Sequence, residues 1–100
     1  MGKRSWLRLA NEPLFFTLTT TLWGDAAPGT QVRVFVDDAC AGPMLLEVAA
    51  EALAAGVEVR LVHGENVFTA QVVSPEGARS SCASPVRATR ETVFAPASPV

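Results

Sequence analysis

Apolar and polar residues alternate along most of this chain with period two. From Leu14 to Trp23 the sequence reads "LFFTLTTTLW", with Phe16, Leu18 and Leu22 on one face and Thr17, Thr19 and Thr21 on the other. That alternation, rich in β-branched residues, predicts a half-buried strand. "GDAAPG" follows, with a turn at Pro28 and Gly29. "QVRVFVDD" alternates again, Val32, Val34 and Val36 facing one way and Gln31, Arg33 and Phe35 the other, until Asp37 and Asp38 end it.

The next stretch breaks the pattern. "MLLEVAAEALAAG" is strongly helical in propensity, and Gly56 is placed like a helix stop. Its neighbours are all strand-like, so tertiary context competes with that propensity. "VEVRLV" then alternates, with Val57, Val59 and Leu61 together. "HGEN" reads as the turn of a hairpin leading into "VFTAQVV", where Phe68, Ala70 and Val72 share a face. "SPEGARSS" is a loop, and "PVRATRETVF" is a last strand with Val86 and Ala88 inward. Strands spaced by turn signals in this way predict a β-sandwich.

Composition narrows the function. The chain has 100 residues, 49% apolar and 18% charged, which suits one domain with a packed core. A net charge of −2 offers no basic face for nucleic acid, although Arg79, Arg87 and Arg90 form a possible local patch. No apolar run approaches the roughly 20 residues of a membrane span. The opening "MGKRSWLRLA" is basic, but Asn11, Glu12 and Pro13 interrupt it, so it makes a poor signal peptide.

Taken together, "GDAAPGTQVRVFVDDACAG" resembles the bacterial Ig-like repeats of large cell-surface proteins. Gly24, Ala26, Pro28 and Gly29 match a turn of that family, Val32, Val34 and Phe35 its following strand, and Cys40 and Gly42 its Cys-x-Gly turn. Gly56, Val57 and Val59 match a later strand, Phe68, Thr69 and Ala70 another, and Ser81, Cys82 and Ser84 the closing Ser-x-Cys motif. The resemblance spans roughly residues 14–94. It departs at "SPEGARS", where Ser74 and Ala78 replace the family's usual Asp and Asn, and at the unusually apolar "MLLEVAAEALAAG". The family implies a sandwich module without catalysis, strung in series on surface or secreted proteins as a spacer or adhesion unit.

The chemistry is sparse. A tetrahedral zinc site needs four ligands, and two cysteines with one histidine leave it short. A catalytic cysteine needs a histidine partner, and His63 sits in a turn. A disulfide between Cys40 and Cys82 fits best, since both flank strand ends as the family places them; two buried thiols are the other reading. Asp37 and Asp38 read as a strand-ending Asx turn in preference to a calcium site. Glu47, Glu51, Glu58, Glu65 and Glu76 are scattered and read as solvated faces. Trp23, on the threonine face, is either a contact surface for a sugar or a neighbour, or a residue packed at the sandwich edge. Trp6, with Leu7 and Leu9, forms either a first edge strand or a contact with a neighbouring chain.

The expectation is therefore an all-β, Ig-like antiparallel β-sandwich of about seven strands, with one short helical turn possible in 44–55. Residues 1–13 are an arm or edge strand, 14–94 the sandwich, and 95–100 a Pro/Ala/Ser tail. The expected core is Phe16, Leu18, Leu22, Val32, Val34, Val36, Val57, Val59, Leu61, Phe68, Ala70, Val72 and Val86. The expected function is a structural or adhesive module outside the cell or at its surface, without enzyme activity, cofactor, metal, nucleic-acid partner or membrane span. Its partners would be neighbouring Ig-like domains or protein subunits, or surface carbohydrate. The alternative is a small structural subunit of a self-assembling fibre, tail or capsid-like particle.

Overall fold

A computed structural model describes residues 6–9 and 18–91. Seven strands and one short helix follow in the order β1 (Leu7–Leu9), β2 (Thr19–Gly24), β3 (Gln31–Phe35), β4 (Met44–Ala49), α1 (Ala50–Ala55), β5 (Val57–Arg60), β6 (Gly64–Val73) and β7 (Val86–Arg90). They form two antiparallel sheets, one ordered β1-β2-β5 and the other β4-β3-β6-β7. The molecule is an Ig-like β-sandwich. Expected residue Phe16, the threonine-face residue Thr17 and the tail at 95–100 lie outside the described residues.

Period two decides which side chains meet between the sheets. Leu22, Val32, Val34, Val59, Leu61, Phe68 and Ala70 are buried there, with Val57, Val72 and Val86 partly buried against them. Leu7, Ala50, Leu53, Ala83 and Ala88 complete the core. Two expected members are not in it: Leu18 is 53% exposed and Val36 52%. Both sit just beyond a strand end, Leu18 before Thr19 and Val36 after Phe35, so the alternation that would turn them inward no longer applies.

The segment 44–56 divides. Leu46 and Val48 continue the inward alternation of β4 and pair with Val34 and Val32. The alanine-rich remainder winds into α1. Six residues are too few for a stable isolated helix, and α1 is held by burial of Ala50 and Leu53 and by a 3.0 Å bond from Ala50 N to Thr30 O. Leu53 uses space that Gly24 leaves free: a Cβ at Gly24 would stand 2.5 Å from Leu53 Cδ2. Gly56 ends the helix at φ 108°, its N–H donating to Ala52 O and Leu53 O.

The "HGEN" hairpin does not form. β5 belongs to one sheet and β6 to the other, so Leu61–His63 carries the chain across the sandwich. Buried Asn66 secures that crossing. Its Oδ1 accepts from Val62 N at 2.8 Å, while Nδ2 donates to Val62 O, Gly64 O and Ala88 O. A side chain that ties its own backbone in this way replaces the hairpin turn that Gly64 and Asn66 suggest in the sequence.

Strand polarity fixes two ends. β2 finishes and β3 begins near α1, and β1 begins there too, Leu7 facing Gly24. β3 finishes, β6 begins and β7 finishes at the opposite end, Gly64 facing Arg90. The exposed apolar residues Leu18, Val36, Met44, Leu45 and Val62 lie at that opposite end.

Candidate functional site

The most organised local chemistry surrounds the loop between β3 and β4. Strand β3 stops at Phe35, and the chain turns on Asp37. One carboxylate collects four consecutive backbone donors: Oδ1 accepts from Ala39 N at 3.1 Å and Cys40 N at 2.8 Å, and Oδ2 accepts from Ala41 N at 3.2 Å and from Gly42 N. The first of these bonds is the Asx turn expected at this position. Gly42 is required by the closeness of the carboxylate, because a Cβ there would meet Asp37 Oδ2 at 2.7 Å. Cys40 adopts a left-handed φ of 55° inside this wrap, a conformation that L-residues other than Gly, Asn and Asp seldom take.

Cys40 and Cys82 are joined, with their Cα atoms 5.9 Å apart, and they stand 42 positions apart in sequence. The second cysteine lies in the long β6–β7 connection, which folds back along β6. Ser80 N donates to Val72 O and Ala83 N to Ala70 O, each at 2.9 Å, and these bonds hold the segment around Cys82 against the sheet.

The disulfide therefore lies on the outer face of the four-stranded sheet. Phe68 and Ala70 point into the core, so Thr69 points out, and it pairs with Phe35. Both are nevertheless buried, Thr69 at 0% and Phe35 at 8% exposure. For Thr69 the loop accounts for this: Cys40 Sγ is 3.5 Å from Thr69 Oγ1, and Thr69 Oγ1 donates to Asp37 Oδ1 at 3.3 Å. Phe35 is placed on the outward side by the sequence alternation, and its burial beside Thr69 is the feature that alternation does not reveal.

Partial burial acts to raise the pKa of Asp37, but the bonds from the N–H groups of Ala39, Gly42, Cys40 and Ala41 together outweigh it and hold the carboxyl below its ordinary 3.8. A depressed carboxyl contributes stability that is complete above the ordinary value and disappears as pH falls through the lowered one. Replacing Asp37 by Asn is thus expected to lower the melting temperature most at neutral pH. The gap from wild type should close below about pH 4, as thermal melts down to about pH 2 would show.

The two tryptophans are far less alike than in sequence. Trp6 packs partly against the core beside β1, which forms the edge of the three-stranded sheet. Trp23 is half-buried on the outer face of that sheet, with Thr19 and Thr21. It lies over Gly56, where a Cβ would come within 2.8 Å of Trp23 Nε1. Arg8, opposite Trp23, is paired with Asp25 at 2.6 Å. His63 is exposed at the crossing between sheets. Among the described residues no three His, Cys, Asp or Glu side chains gather as a metal-ligand set, and no helix is long and apolar enough to cross a membrane.

Fold and site together define a disulfide-linked β-sandwich whose best-built feature is a covered outer sheet face. No protein-family model, curated protein or solved structure matches the chain.

Proposed function

We propose that this protein is a non-catalytic structural or adhesive Ig-like module of an exported, surface-located protein of the bacterial type. The Cys40–Cys82 disulfide carries that reading. Disulfides form and persist in oxidising compartments and are rare in the reducing cytosol of mesophiles. A sandwich whose organised polar chemistry is spent on fixing a loop suits a spacer or contact module, with neighbouring modules or surface carbohydrate as partners. The test is the intact mass of protein from its native source, alkylated after unfolding without reduction. No added label and a mass two hydrogens short support export; labelling of both cysteines removes the basis for it.

A second reading, a small subunit of a self-assembling particle, has its own support. Leu18, Val36, Met44, Leu45 and Val62 put exposed apolar area at one end of the sandwich, and such area commonly marks a contact between chains. Sedimentation over a wide concentration range separates the two. A persistent monomer counts against the particle subunit, and growth into larger species favours it.

A further inference from the structure

We propose that the loop 36–43 is a rigid cover latched by the disulfide, and that a thiol reductant opens it without disturbing the core. Four observations support this, and the device goes beyond the role proposed above. First, the cover is self-contained: the Asp37 carboxylate binds four of its N–H groups, so it holds its shape as a unit. Second, its polar attachments to the sheet beneath are few. Apart from the covalent bond they are a 3.3 Å hydrogen bond from Thr69 Oγ1 to Asp37 Oδ1, long for a hydroxyl donor, and a 3.5 Å contact between Cys40 Sγ and Thr69 Oγ1.

Third, the two cysteines sit on different bodies. Cys82 lies between Ser80 and Ala83, both bonded to the backbone of β6, and is fixed. Cys40 rides on the cover, in a left-handed conformation that opening would relax. Fourth, no residue of 36–43 belongs to the core. Opening would bare Phe35 next to Met44, its partner across β3 and β4, and to Val36, both already about half exposed. The result is an apolar strip at one end of the outer sheet face.

The chemistry balances simply. A dithiol reductant gives two electrons and two protons to the S–S bond, which breaks to leave Cys40 and Cys82 as thiols. The reductant leaves as its own disulfide.

Hydroxyl-radical footprinting read by mass spectrometry tests the latch, because it reports side chains one at a time. The oxidised protein is compared with the double variant Cys40→Ser/Cys82→Ser, which mimics the reduced state and needs no reductant to scavenge the radicals. Phe68, on the core side of β6, is the internal control. The expected result is a several-fold rise in labelling of Phe35 with Phe68 unchanged. A rise at both means that the disulfide holds the whole domain, and no rise at either means that the cover stays shut unaided; each overturns the proposal. Asp37→Asn with the disulfide intact should leave Phe35 at its oxidised level. A rise there would make the carboxylate the latch and would also overturn it.

Discussion

Replacing Cys40 and Cys82 together by serine lowers the melting temperature by roughly 15–30 °C, at about 4–8 °C per kcal/mol for a domain of this size. The bond closes a loop spanning 42 positions. In the chain-entropy model such a closure removes about 4 kcal/mol worth of freedom from the unfolded chain. Whole domains are stable by roughly 5–15 kcal/mol, so this is a large fraction. The effect acts on the unfolded state, which is why a smaller margin and an intact core are compatible in the reduced protein. Calorimetry of both forms checks it. A drop of only a few degrees would mean that native strain, such as that at Cys40, cancels most of the entropic gain.

Changing Gly56 to Ala is expected to cost about 3 kcal/mol, by adding a backbone penalty of about 1–2 kcal/mol to an overpacking penalty of similar or larger size. The backbone φ of 108° is one that L-residues avoid. A new methyl would also press on Trp23 Nε1 at 2.8 Å and Thr21 Cγ2 at 2.9 Å. Two rigid neighbours on β2 leave it nowhere to go, and relaxation would have to move either the indole or the join between α1 and β5. Gly29→Ala is the control. Its φ is 85°, but nothing lies within 4 Å of the added carbon, so it meets the backbone penalty alone. Urea titration of the two variants should therefore separate the steric part from the conformational part. Equal losses would show that Trp23 moves aside freely.

Alternation located Leu22, Val32, Val34, Val59, Phe68 and Ala70 correctly because each sits within a paired strand, where side chains must alternate. It failed at Leu18 and Val36 because periodicity does not mark where pairing stops. "HGEN" has the composition of a hairpin turn, yet composition does not say whether the next strand joins the same sheet. That choice is made by Asn66 and by the packing of β6 between β3 and β7. "MLLEVAAEALAAG" contained both signals in series, and the boundary fell where Val48 gives way to consecutive alanines. The cysteine pair was legible as a disulfide. The burial of Phe35 on the outward side was not, since it depends on contacts made in three dimensions.

The disulfide also sets how the domain would yield to a pull. Trp6 lies beside α1 and Glu91 at the far end, so a load applied between these two residues would run along the strands. As tension peels the sandwich apart, force passes directly from Cys40 to Cys82, and the 41 residues between them (42 − 1) carry none of it. At about 3.3–3.6 Å per extended residue, roughly 140 Å of slack is withheld while the bond is closed. Strands β4, β5 and β6 all lie inside that slack, together with α1. An overstretched oxidised domain would therefore lengthen only by its outer segments, and would keep a tethered nucleus from which to re-form.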